Sequence, residues 1–259
     1  MKVLVSLLLL VFASALRCSA YTVDDFLREM DEPGLCALTF DDGPSVYTGR
    51  LLHMMAAEHV KATFFVLGEN AARLPDMIRR ELAEGHEVAN HSWSHPNLRR
   101  VSTERIRREM ETTVAVLAPL GASPRFFRPP YGSYSACVEE TANSLGMEIA
   151  LWSHDSRDWK RLPRSYAALV PCQSVEDRHG VFLFHDIHER TVNDFPRIVS
   201  ELRNSGCRSF VTLSEYMAHV GPRAEPAPQM PELRASHRRA YCRPSHGSAL
   251  FLSSIRMVD

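Results

Sequence analysis

With 259 residues and 45% hydrophobic content, the chain has material for one sizeable core and most naturally for one large α/β domain. Its formal net charge of −1 is unevenly spread: residues 21–220 carry 22 Lys and Arg against 28 Asp and Glu, and residues 221–259 carry 6 against 3. A mildly acidic main body argues against a nucleic-acid partner, and past the N-terminus no stretch is long and apolar enough to span a bilayer.

The chain opens with Lys2, an apolar run over 3–16 and then Arg17-Cys18-Ser19-Ala20, the pattern of a secretory signal peptide over 1–20. Secretion permits disulfides. Six cysteines are present (Cys18, Cys36, Cys137, Cys172, Cys207 and Cys242), and their pairing is not legible from spacing. None forms a Cys-x-x-Cys pair, which argues against a thiolate zinc site.

Residues 21–32 read as an amphipathic lead-in, with Val23, Phe26, Leu27 and Met30 at helical spacing. A β-prone run, Ala37-Leu38-Thr39-Phe40, then delivers Asp41 and Asp42 and breaks at Gly43-Pro44. At a strand's end the backbone turns, so both carboxylates can reach one site, where they repel unless a positive group compensates. The plainer alternative is an N-cap pair for the next helix.

That helix is expected over 47–58, followed by a strand over 60–68, a helix over 71–84 stopped by Gly85, and a strand over 87–90. The last strand runs into His91-Ser92-Trp93-Ser94-His95. A helix opening at Ser102 reaches about 117, and residues 126–132 form a strand and its turn. A helix over 135–145, a strand over 148–152, a strand over 180–186, a helix over 192–204 and a strand over 207–213 complete the pattern. From 221 onward, prolines and arginines without apolar periodicity read as a poorly ordered tail.

Alternating strands and helices argue for about seven parallel strands with helices outside, as in an α/β barrel. The unusual residues recur just past strand ends, at Asp41/Asp42, His91/His95, Arg128, Asp155/Asp158 and His185, where a barrel of this kind gathers its chemistry. His91 and His95 stand four apart, a common spacing for zinc ligands. With Asp41 or Asp42 they complete a two-His, one-carboxylate site with open positions, and the other carboxylate is then free to act as general base on a metal-bound water.

Five segments, in order, carry a resemblance: Thr39-Phe40-Asp41-Asp42-Gly43, His91-Ser92-Trp93-Ser94-His95, Arg128-Pro129-Pro130-Tyr131, Asp155-Ser156-Arg157-Asp158-Trp159 and Leu183-Phe184-His185. Together they resemble the motifs of the polysaccharide deacetylase (NodB-homology, carbohydrate esterase 4) family, and the surrounding text is similar to its chitin deacetylase branch. The resemblance implies a NodB-like, distorted (β/α) barrel of about seven parallel strands over 21–220 and metal-dependent removal of acetyl groups from N-acetylglucosamine units, in chitin or chito-oligosaccharides first. Peptidoglycan or acetylxylan is the alternative substrate, and a catalytically silent wall-binding protein is the alternative class.

The resemblance also implies roles. Asp42, His91 and His95 would hold one divalent metal, zinc first, with cobalt or manganese as alternatives. Asp41 would be the general base, held by Arg128, and His185 the general acid, oriented by Asp158. The backbone N–H of Tyr131 would face the oxyanion, and Trp159 and Leu183 would shape the acetyl pocket. The expected partner is an N-acetylated cell-wall polysaccharide, with neither nucleic acid nor a membrane span involved, and the protein is expected to be a secreted monomer.

Overall fold

The computed structural model describes residues 34–160, 164–166, 169 and 180–220. The expected signal segment, the lead-in over 21–32 and the tail past 220 lie outside them. The central strand β1 (Gly34–Asp41) is buried at all eight positions, as a strand covered on both faces must be. It pairs in parallel with β2 (Ala62–Val66) on one side and β7 (Gly180–His185) on the other. The sheet continues from β2 through β3 (Glu87–Asn90) and β4 (Phe126–Phe127) to β5 (Glu148–Ile149), and from β7 to β6 (His154–Asp155). These seven strands follow one path, and an eighth, β8 (Cys207–Phe210), pairs with the start of β1.

The sheet curls, and one side chain demonstrates it. Arg128, just past β4, bonds Thr39 and Asp41 on β1, three strands away. Across a flat sheet that distance is about 14 Å, roughly twice an arginine's reach. Curling brings the inward-facing residues of β1 and β4 together, the geometry of an open, distorted (β/α) barrel.

Strand periodicity sorts the core into two layers. On the outer face Leu38, Phe40, Phe64, Phe182 and Phe184 pack beneath α1 (Thr48–Ala57) and α7 (Phe195–Asn204). Phe40 stacks between Phe64 and Phe184 at 5.6 and 5.7 Å, and each such buried ring contributes about 1.5–3 kcal/mol. On the inner face Ala37, Phe65, Ala89, Phe126, Ala150 and Val181 form a thinner cluster, leaving the mouth above it to polar side chains.

Several expected boundaries shift, each for a local reason. The helix expected over 71–84 is two, α2 (Gly68–Arg73) and α3 (Pro75–Ala83), because Pro75 has no N–H to continue the first and is well suited to open the second. The helix expected over 192–204 divides at Asp194 into α6 (Glu189–Asn193) and α7, with Pro196 in the first turn of α7. Of the strand and turn expected over 126–132, the strand stops at Phe127, since Pro129 and Pro130 cannot donate to a ladder, and the turn follows at Pro130–Gly132.

The strand expected over 148–152 is likewise short, and the carbonyls of Ala150 and Leu151 turn to Arg128 instead. Strand β6 was not expected at all: two residues carry no periodicity to read. Past β8 the chain enters α8 (Leu213–Val220), where the expected strand had run to 213. The remaining helices, α4 (Thr103–Leu117) and α5 (Ala136–Ser144), lie close to expectation, and Ser102 caps α4 by accepting from the Arg105 N–H. A disulfide joins Cys36 on β1 to Cys207 on β8 across 171 residues, fixing the two strands in the pairing just described. Among the described residues, no helix is long and apolar enough to cross a membrane.

Candidate active site

The site begins with a backbone turn. Asp41 ends β1 with its side chain inward, and strand alternation would send Asp42 to the opposite face. Asp42 instead takes φ 72°, a left-handed conformation that costs a non-glycine residue energy and swings its carboxylate back to the mouth. The side chain of Asn70 secures the turn, donating to the Asp42 carbonyl at 2.7 Å. Both carboxylates then approach one imidazole: His91 Nε2 lies 3.7 Å from Asp41 Oδ2 and 3.5 Å from Asp42 Oδ1. His95 Nε2 stands 3.5 Å from the same Asp42 oxygen.

This donor set fits a divalent cation. Asp42 Oδ1 is buried and has no hydrogen-bond partner among the described residues, a costly state unless something positive sits beside it. Ligands about 2.0–2.2 Å from a tetrahedral ion stand about 3.3–3.6 Å apart, which is the spacing of Asp42 Oδ1 to each histidine nitrogen. The three ligand atoms all lie within 4.8 Å of one another. His91 is prepared as a ligand: its Nδ1 donates to the Arg128 carbonyl at 2.7 Å, which leaves the Nε2 lone pair facing the site. Burial pushes its pKa down to about 3, so it stays neutral.

Asp41 has a different environment. Arg128 Nη1 donates to its Oδ1 at 2.7 Å and to Thr39 Oγ1 at 2.7 Å, while Nε and Nη2 donate to the carbonyls of Ala150 and Leu151 at 3.1 and 2.9 Å. The guanidinium is fully buried, with its central carbon 3.9 Å from the centre of the Phe65 ring. Burial drives the Asp41 carboxyl above its ordinary value and Arg128 draws it partly back.

Strand register sets the opposite wall, because Asp41 on β1 faces His185 on β7. Asp158 is buried and turned onto His185, its Oδ1 taking Nδ1–H at 2.7 Å and its Oδ2 the His185 backbone N–H at 2.8 Å and the Thr191 hydroxyl at 2.9 Å. Burial alone would lower the His185 pKa, but the bond to Asp158 overrides it and raises the value to about 9.

The expected residues therefore divide. Asp41, Asp42, His91, His95, Arg128, Asp158 and His185 gather at one mouth, in two groups that meet where Asp41 faces His185. Tyr131, at φ 62°, joins through its ring, 4.5 Å from that of His95. Trp159 follows Asp158 and is 52% exposed, with Lys160 over its ring, and Leu183 is buried on β7 two residues before His185, on the same face of the strand. Asp155 accepts from the Arg157 N–H at 2.9 Å and shapes its own turn.

Two supports were not anticipated. Asp186 is buried behind the Asp42 turn, where its side chain takes the Thr48 hydroxyl and its carbonyl takes the Ser45 hydroxyl at 2.8 Å. Glu109 on α4 is buried beneath the His91–His95 loop. Its carboxylate accepts from the Trp93 and Ser94 N–H groups at 2.9 and 2.8 Å, the Ser94 hydroxyl at 3.0 Å and Arg105 Nε at 2.7 Å. The sequence did hold a signal, since Glu109 interrupts the inward stripe of Ile106, Met110 and Thr113. Glu109→Gln turns an amide NH₂ toward groups that themselves donate, and is expected to weaken cation binding about 10–100-fold. Titration against a chromophoric chelator measures it, and unchanged affinity with a lowered melting temperature would leave Glu109 a purely structural role.

The family model described as polysaccharide deacetylase matches residues 28–150. A chitooligosaccharide deacetylase of Sinorhizobium fredii is 36% identical over 203 residues, which is 70% of this chain and 94% of that protein. A peptidoglycan-N-acetylglucosamine deacetylase of Listeria monocytogenes is 38% identical over 181 residues; the match covers 69% of this chain and 38% of the Listeria protein's length. Among solved structures, the chitin deacetylase of the fungal pathogen Colletotrichum lindemuthianum superposes with a TM-score of 0.65 at 30% identity, covering 72% of this chain and 88% of that one. With matched sequence, matched fold and the strand-end clusters in one chain, this protein belongs to the polysaccharide deacetylase family.

Proposed function

We propose that the chain hydrolyses the N-acetyl group of N-acetylglucosamine units in a cell-wall polysaccharide, releasing acetate. The observation that carries this reading is the pairing, at one mouth, of the Arg128-held Asp41 beside the Asp42-His91-His95 donor set with the Asp158–His185 dyad. Amide hydrolysis needs one group to take a proton from water and another to give one to the leaving nitrogen. Chitin-type chains present the required unit, the first choice on sequence, and so does peptidoglycan; the names of the Sinorhizobium and Listeria relatives support one each.

Asp42, His91 and His95 would hold a divalent cation, zinc first and cobalt or manganese otherwise. When bound, such an ion supplies Lewis acidity, which makes water more acidic and polarises a carbonyl. Asp41, kept basic by burial and aimed by Arg128, takes the proton of the attacking water. The Tyr131 N–H donates to the developing oxyanion, and His185 gives its proton to the amide nitrogen as acetate departs. Trp159 and Leu183 would flank the acetyl methyl. Residues 21–220 form the catalytic domain in this reading, the 1–20 signal directs it outside the cell, and it acts as a monomer.

Acetate release from chito-oligosaccharides and from peptidoglycan, before and after chelation, tests the proposal. Release that chelator abolishes and added zinc restores supports it. No release from either, with a cation bound, would leave a wall-binding protein that keeps the fold. A pH dependence follows as well. The general acid must be protonated, so activity is expected to fall as pH rises through the His185 pKa, at or somewhat below about 9 once a cation's charge opposes protonation. Asp158→Asn removes the charge that raises that pKa and should move the alkaline limb to lower pH. An alkaline limb unmoved by Asp158→Asn would remove His185 from the acid role.

A further inference from the structure

The left-handed turn at Asp42 is strained, and such strain persists only where the surroundings over-determine it. On the β2 side three bonds do so. The Asp42 N–H donates to the Phe65 carbonyl at 3.2 Å, the Leu67 N–H donates to the Gly43 carbonyl at 3.0 Å, and Asn70 holds the Asp42 carbonyl. On the β7 side the neighbour is Asp186, which is fully buried and takes no part in the proton transfers proposed above. Asp41 and His185 are the last paired residues of β1 and β7, so Asp42 and Asp186 are the first to leave the ladder on either strand.

Gly43 shows how closely the two strands then meet. A β-carbon on Gly43 would lie 2.5 Å from Asp186 Oδ2 and 2.7 Å from its Cγ, and nearer still to Oδ1. Gly43 is not among the residues at positive φ, so backbone conformation does not call for glycine there; the approach of the carboxyl group does. That carboxyl group is braced in turn. Thr48 donates to Oδ2, the Thr48 oxygen takes the Ser45 N–H at 2.7 Å, and the Ser45 hydroxyl donates to the Asp186 carbonyl at 2.8 Å. Oδ1 has no hydrogen-bond partner among the described residues and rests against Gly43.

We infer that Asp186 is a positioning residue for the cation ligand Asp42. Its braced carboxyl group fills the space over Gly43 and holds the turn that aims Asp42 at both histidines. Being next in the chain to His185, it also sets the spacing between the donor set and the acid. The inference rests on Asp42 serving as a ligand and deepens that reading: Asp186 works by shape and bracing, from behind the site, and touches neither cation nor substrate.

Zinc affinity of the full-length protein, measured against a chromophoric chelator, tests it, with thermal unfolding as the check on folding. Asp186→Ala should lose about 10–100-fold in affinity. Asp186→Asn keeps the shape and can still accept from Thr48, so it should restore most of that loss. Gly43→Ala drives a β-carbon into the carboxyl group and should weaken binding too. Gly43→Ala/Asp186→Ala makes room for that carbon and should bind no worse than Asp186→Ala alone. Thr48→Val removes the brace and should show the loss in weaker form. With zinc saturating, kcat of Asp186→Ala should stay about tenfold low, because acid and donor set no longer keep their spacing.

Unchanged affinity in a folded Asp186→Ala overturns the inference, as it does in Thr48→Val should Asp186→Ala fail to fold. Losses from Gly43→Ala and Asp186→Ala that simply add overturn it as well, and a kcat that zinc restores in full rejects the part played in spacing. A parent protein that binds no zinc overturns the donor-set reading itself, and this inference with it.

Discussion

Asp41→Asn is expected to lower acetate release about 10²–10⁴-fold while leaving cation affinity almost unchanged. The amide keeps the size of the carboxylate and can still accept from Arg128 Nη1, so the site should hold its shape. What it loses is the ability to take a proton. Asp42→Asn alters a neighbouring residue to the opposite effect: it removes the charge at the oxygen on which both histidines converge, so cation affinity and activity should fall together. The two variants, read by chelator competition and by acetate release, separate base from ligand. Loss of the cation in Asp41→Asn, or full activity in that variant, would reverse or remove the assignment.

Arg128→Met should be the most destabilising single change at the mouth. It leaves the Asp41 carboxylate buried without its partner and strips donors from Thr39 and the carbonyls of Ala150 and Leu151. Breaking a buried pair from one side costs about 3–5 kcal/mol. For a domain of this size that lowers the melting temperature by roughly 6–20 °C. Asp41 is already held above its ordinary pKa by burial, and without the guanidinium it rises further. The acid limb of the pH–rate profile therefore moves to higher pH, because a base must be deprotonated to act. Arg128→Lys should rescue little, since one ammonium cannot serve donors aimed in so many directions. Adding Asp41→Asn to Arg128→Met should recover part of the lost stability by removing the uncompensated charge. If the two costs simply add, the ion pair is not what holds this corner.

The donor chemistry was legible along the chain because it is carried by residue type and local spacing. Asp41-Asp42 before Gly43-Pro44, and His91 four residues before His95, mark strand ends whatever the later packing. The alternation of strands and helices likewise fixed the barrel class, since apolar periodicity is a local property. Prolines moved the boundaries, splitting two helices and shortening β4, although their positions were in plain view. Glu109 was equally visible in its apolar stripe, but nothing local says what a buried carboxylate will bind.

Tertiary structure alone decided the rest. Which of two adjacent aspartates faces the histidines alone and which is also held by an arginine depends on the left-handed turn at Asp42 and on the curl that carries Arg128 across three strands to β1. The pairing of Asp158 with His185 and of Cys36 with Cys207 joins residues far apart in sequence. Side-chain type and periodicity act over a few residues, so a sequence states them directly; register, curl and loop convergence arise from packing between distant segments, and only the folded chain sets them.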